Sequence, residues 1–225
     1  MKKVKRSSIL ILGVSLLVLS ISLGNTFANT SKLEDTVVKE TTVTKAETNL
    51  KTVSIEGNYV QVNSAKELYD NAELIIIAEP IENFMDRNHE ATYSGDNSLE
   101  DYYTETLVNV TEVIKKPQHL AVETSKTFSI VEPAVGIVKN NAGEQIKIVT
   151  DSYTEMKKDM SYLIFLQKNI NGDYSVTYNT LGKYNIDNKD LDDLGSSVSV
   201  NSHHHAEDLV KKKEFKKELQ SIIGF

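Results

Sequence analysis

Residues 102–114, YYTETLVNVTEVI, limit the fold more than any other stretch. Thr104, Thr106, Val108 and Val110 fall on one face of an extended chain. Glu105, Leu107, Asn109 and Thr111 fall on the other. A period of two over this length predicts a β-strand with one buried and one wetter face. Lys115, Lys116 and Pro117 end it. Upstream, Leu74, Ile75, Ile76, Ile77 and Ala78 form a continuous apolar run. Such a run suits a strand buried on both faces and stopped by Pro80. Residues 127–131, 136–139, 144–150, 162–166, 174–178 and 182–186 read as further strands. Asn140 to Gly143 and Asn169 to Gly172 supply turns between them.

Helical signals are few. Ser64 and Glu67 have the spacing of a capping box, with a short helix after them. A second helix is predicted near the end, capped by Ser202 and running over residues 203–223. Phe215, Leu219, Ile222 and Ile223 form its docking face. Leu209 and Val210 lie off that stripe, so the first half of the helix is expected in solvent. Many short strands, one early helix and one late helix predict a mainly β fold, an OB-like β-barrel or a sandwich.

The chain opens with Lys2, Lys3, Lys5 and Arg6, then an apolar run at 9–23 and a small residue at Ala28. That order is a signal peptide, with cleavage expected after residue 28. Its loss would take the net charge from −7 to about −11. Residues 29–51 are rich in Thr, Lys and Glu without a sustained period, the mark of a disordered leader. The barrel is expected over 52–200 and the terminal helix over 201–225. These features predict a secreted or envelope-associated protein with no membrane span after cleavage. A net negative chain is a poor partner for nucleic acid, whose phosphates call for Lys and Arg. With no cysteine, disulfides, thiolate catalysis and Cys-based zinc sites are excluded.

Four stretches carry a resemblance: ELYDNAELIIIAEP, YTETLVNVTEVIKK, MSYLIFLQ and LGKYNI. Their order resembles a family of small exported, mostly uncharacterised Gram-positive bacterial proteins. That family is distantly similar to the OB-fold modules of netrins and of tissue inhibitors of metalloproteinases. The resemblance spans residues 64–186 and implies a barrel used for binding. Ala78, Lys116 and Asp159 replace the family's usual glycines, whereas Gly182 keeps its own. The inhibitors' zinc-binding N-terminal cysteine has no counterpart here.

No G-x-S-x-G, P-loop or dinucleotide fingerprint occurs, so the chain is read as non-catalytic. His89 and Glu90 begin an H-E-x-x-H motif, but Tyr93 stands where the second histidine belongs, and the segment reads as loop. That long polar loop, residues 85–101, and the tyrosines Tyr93, Tyr102 and Tyr103 are the candidate contact surface for an extracellular or envelope protein. The alternative for the tyrosines is packing on the barrel. Asp187, Asp190, Asp192 and Asp193 lack the spacing of a calcium loop and read as a solvated connector. His203, His204 and His205, with Glu207 and Asp208, are the candidate metal ligands, and zinc is the ion they would take. Adjacent helical residues point about 100° apart, so only pairs such as His203 with Glu207 or His204 with Asp208 share a face. The other reading of the histidines is the polar start of a helix.

Overall fold

The computed structural model describes residues 50–193 and 203–225, with side chains in the second stretch from residue 207. In chain order the elements are β1 (Thr52–Ile55), α1 (Ala65–Asn71), β2 (Leu74–Pro80), β3 (Asn88–Tyr93) and β4 (Leu99–Lys115). Then come β5 (Thr127–Glu132), β6 (Val135–Lys139), β7 (Gln145–Thr150) and β8 (Tyr162–Lys168). The chain ends with β9 (Tyr174–Val176), β10 (Lys183–Asn185) and α2 (His203–Ile223). Short 3-10 turns occupy Phe84–Asp86 and Asn179–Gly182.

Five strands close a ring. β2 pairs antiparallel with β4 on one side and β8 on the other. β4 pairs with β5, β5 meets β9 in parallel at Val131 and Ser175, and β9 returns antiparallel to β8. Counted along the chain, the ring order is 1-2-3-5-4-1. Among the described residues the fold is an OB-like β-barrel with two helices. The remaining strands are attachments. β10 extends the barrel beside β8, β3 pairs with the first half of β4, and β1-β7-β6 make a separate three-stranded sheet.

β2 shows why a strand with no alternation belongs here. Leu74, Ile76 and Ala78 point into the barrel core, beside Val108, Val110, Ile164 and Leu166. Ile75 and Ile77 point outward, into a second core with Leu163, Phe165, Leu68, Phe215 and Leu219. Both helices therefore lie over the outer face of β2 and β8, so that face must be apolar too. Burying Phe215 and Leu219 contributes about 1.5–3 kcal/mol each.

Local chemistry sets the ends. The Ser64 hydroxyl accepts from the Glu67 amide at 3.1 Å. The Glu67 carboxylate reaches back to the Asn63 amide at 2.8 Å, one residue before the partner expected for a capping box. In the β6–β7 turn, Asn140 Oδ1 accepts from the amides of Ala142 and Glu144, and Gly143 takes a φ of +81°. A side chain at that φ would be strained.

Two expectations need correction. Residues 85–101 are not a loop: they hold a 3-10 turn and β3, joined by a short turn to β4, which starts at Leu99. The Gly, Asn and Asp cluster that signalled a loop occupies only the turn between the two strands. The docking face of α2 is also longer than the predicted one: Phe215, Leu219 and Ile223 pack on the second core as expected, and the face extends toward the start of the helix. Ile222 is 45% exposed, while Lys212 is buried with Phe215 and Leu219. The buried stripe thus runs back to Lys212, and Leu209 is half-buried. An apolar count missed it because the residue completing the stripe is a lysine.

Gly182 has a packing reason. A Cβ there would run into the Thr177 carbonyl oxygen and the Val176 side chain. We expect Gly182→Ala to lower stability by about 1–3 kcal/mol, read from urea unfolding midpoints, because backbone must move to admit the methyl.

Candidate functional site

The β3 strand comes from the connection between the first and second barrel strands. The β6–β7 hairpin comes from the connection between the third and fourth. Between them lies an open groove of about 480 Å³. His89, Ala91 and Tyr93 line one wall, and Ile137, Lys139 and Gln145 line the other. Beneath it, Ala91, Leu99 and Tyr102 pack against Val138, Ile146 and Ile148.

Tyr93 spans the groove. Its hydroxyl donates to the Lys139 carbonyl at 3.2 Å and accepts from the Lys139 amide at 3.1 Å. Among the described residues β6 pairs only with β7, so no strand is hydrogen-bonded along its other edge there. The phenol thus sits where the main chain of a neighbouring strand would sit. Tyr93 is 41% exposed, and Met85 at the rim is 37% exposed.

The other two candidate tyrosines lie elsewhere. Tyr102 is 7% exposed, its ring lies against Gly136, and its hydroxyl bonds Thr150 Oγ1. It is a core residue, not a surface contact. The reason is phase: Tyr102 continues the buried face of Thr104, Thr106 and Val108, and extending that alternation two residues back would have found it. Tyr103 points to the opposite face and is half-buried, away from the groove. His89 and Glu90 also diverge, because neighbours on a strand face opposite sides. His89 turns inward to Thr104 and Phe84, while Glu90 accepts from Asn88.

Two charged clusters, one beside the groove and one under α2, were hidden from sequence reasoning. The first is centred on Glu132, whose side chain is wholly buried. Its oxygens accept from Arg87 at 2.8 Å, Thr106 at 2.7 Å, Tyr153 at 2.8 Å and the Met156 amide at 3.1 Å. Arg87 spends its remaining donors on the Thr106 hydroxyl and on the carbonyls of Glu82 and Met156. Burial, then Glu132, pushes the Tyr153 hydroxyl far above its ordinary range. Close by, burial pushes the Glu155 carboxyl up, but Lys147 and Lys157 more than offset it and hold it down to about 2.

The second cluster overturns the reading of the acidic run as a solvated connector. Asp190 and Asp193 are 2% and 3% exposed. Asp193 accepts from Lys183 and Lys212, both at 2.6 Å, and from the Asn185 amide at 2.9 Å. Asp190 accepts from the Tyr162 hydroxyl at 2.7 Å. Burial pushes the Asp193 carboxyl up, but the two lysines hold it well below the usual carboxylate range. Burial drives the Lys212 ammonium down to about 8, against the pull of Asp193. Asp193 is held inward by two lysines on different elements, β10 and α2, and Asp190 by the Tyr162 hydroxyl.

Among the described residues, no group of three or more His, Cys, Asp or Glu could hold a metal ion. His203, His204 and His205 open α2, but their side chains lie outside the described residues, as does the predicted cap, Ser202. Glu207 is exposed, and Asp208 accepts from the Tyr59 hydroxyl at 3.3 Å. Residues 1–49, with the predicted signal peptide and nearly all of the leader, also lie outside the described part. Among the described residues, no helix is long and apolar enough to cross a membrane. In comparisons with known proteins, the chain matches no protein-family model and no curated protein.

Proposed function

We propose that the chain is an exported, non-catalytic binding module that holds an extracellular or envelope protein in the groove between β3 and β6. An inhibitor of an extracellular protease is the narrower form of this reading. The observation that carries it is Tyr93: an exposed phenol spanning a 480 Å³ groove and covering the main chain of an open strand edge. Aromatic side chains of this kind give contact area at low entropic cost. OB-type barrels bind ligands through the loop joining their first two strands, the connection that carries β3 here. The signal-like start supports an exported protein, and the net negative charge supports one that avoids nucleic acid. The order of the four resembling stretches supports membership in the small exported family.

The test immobilises the chain without its first 28 residues and exposes it to envelope and culture-medium proteins of the producing organism. A dominant partner whose affinity falls at least about tenfold in Tyr93→Ala supports the groove. A partner held equally by both proteins moves the site elsewhere, and no retained partner ends the binding reading. Circular dichroism of the variant checks that its fold is intact.

A further inference from the structure

The two walls of the groove are joined by a chain of three polar contacts. His89 Nε2 lies 2.9 Å from the Phe84 carbonyl oxygen, and His89 Nδ1 lies 2.9 Å from Thr104 Oγ1. Thr104 Oγ1 in turn lies 2.8 Å from the Val135 carbonyl oxygen. Phe84 belongs to the turn before β3, and Val135 begins β6. Both ends are carbonyl oxygens, which only accept. Three contacts therefore require three protons. A neutral imidazole and a hydroxyl carry two, whereas an imidazolium and a hydroxyl carry three.

We propose that His89 is a proton-operated clasp: its protonation completes the relay from Phe84 through Thr104 to Val135 and fastens the two walls of the groove. In the neutral form one contact must go. Either Thr104 turns from Val135 to the bare Nδ1, or Nε2 faces the Phe84 carbonyl without a proton. The consequence for binding rests on the groove being the site, but the proton count does not.

The charges around the ring leave it as the titrating member. Arg87 is engaged by Glu132 at 2.8 Å. Lys147 lies 5.0 Å from the centre of the Phe84 ring, which itself meets the His89 ring edge-on with centroids 4.7 Å apart, and Lys147 is paired with Glu155. Lys157 is paired with the same carboxylate at 2.8 Å. Glu90 is on the opposite face of β3. Burial lowers the imidazole below its ordinary value of 6.5, Arg87 adds to this, and the Phe84 carbonyl and Glu132 oppose it. The clasp therefore fills in mildly acidic solution and stands open near neutrality.

The experiment is an NMR titration of the isotope-labelled chain from about pH 8 to about pH 4, which brackets histidine ionisation. It follows the imidazole nitrogens of His89 and the amides of Met85 and Gly136. Those amides share peptide units with the Phe84 and Val135 carbonyls, so they report the two ends of the relay. Both are expected to shift with the midpoint of the imidazole. Thr104→Val should weaken proton binding at His89 by about tenfold, one pH unit, and uncouple Gly136 from the titration. Amides that ignore the His89 midpoint, or a Thr104→Val titration matching the wild type, would overturn the clasp. The wild-type titration decides the first point even if the variant folds poorly. No partner is needed, so failure here leaves the Tyr93 test untouched, and failure of that test leaves the clasp standing.

Discussion

Glu132→Ala is expected to lower the unfolding free energy by about 3–5 kcal/mol, a large share of a typical domain's stability. The substitution removes one carboxylate and strands four donors. Arg87 keeps its charge in a site where its side chain has no solvent exposure, and the Tyr153 hydroxyl, the Thr106 hydroxyl and the Met156 amide lose their acceptor. A buried charge left alone costs more than its ion pair contributed, because water cannot replace the missing partner. Urea unfolding followed by tyrosine fluorescence gives the number. The double variant Arg87→Met with Glu132→Leu should recover much of the loss, since an apolar pair strands no charge. A single variant within about 1 kcal/mol of wild type would show that water reaches Arg87 after all.

Asp193→Ala carries the second large effect, also about 3–5 kcal/mol, and for a related reason. It leaves Lys183 and Lys212 facing each other across a dry site, each having lost its bond of 2.6 Å. Because Lys183 sits on β10 and Lys212 on α2, the loss should fall on the docking of the terminal helix. Hydrogen exchange would show it as faster exchange across α2 before the barrel strands respond. Exchange that accelerates evenly through the barrel would mean the helix and barrel unfold as one unit.

Asp193 also sets an acid limit. Its folded pKa is depressed, so its contribution is present above the unfolded carboxylate value of about 3.9 and is lost as pH falls through the folded value. Glu155 acts in the same direction: its folded value is held down to about 2, against an ordinary 4.5. Stability should therefore decline as pH falls below about 4.5, where the unfolded chain binds more protons than the folded one. Asp193→Ala should flatten that decline, which a series of urea midpoints across the same range would measure.

The elements were largely legible in the sequence because their causes are local. Alternation at Thr104, Thr106, Val108 and Val110 marks β4, and the unbroken apolar run marks β2. Asn140 and Gly143 close a hairpin by their own side-chain and backbone geometry. The barrel class follows from the number and spacing of such strands. The same reasoning took residues 85–101 for a loop, because β3 is a polar edge strand that takes its order from pairing with β4.

The candidate site was less legible. Tyr93 lies exposed at the groove, whereas Tyr102 needed its phase within β4 to be seen as core. The aspartates and lysines of the second cluster gave no local signal, since a charge run in sequence most often faces water. Their burial is a property of assembly: Lys183, Asp193 and Lys212 come from three separate segments and meet only when α2 lies on the barrel. Arg87 and Glu132 likewise stand 45 residues apart. Periodicity, turns and caps depend on neighbours within a few residues, so the sequence alone determined most strands, both described helices and the barrel class, but not the edge strands β1 and β3. Desolvation and charge pairing depend on which distant segments close over a site, so only the tertiary structure decided which charges are buried and where the groove opens.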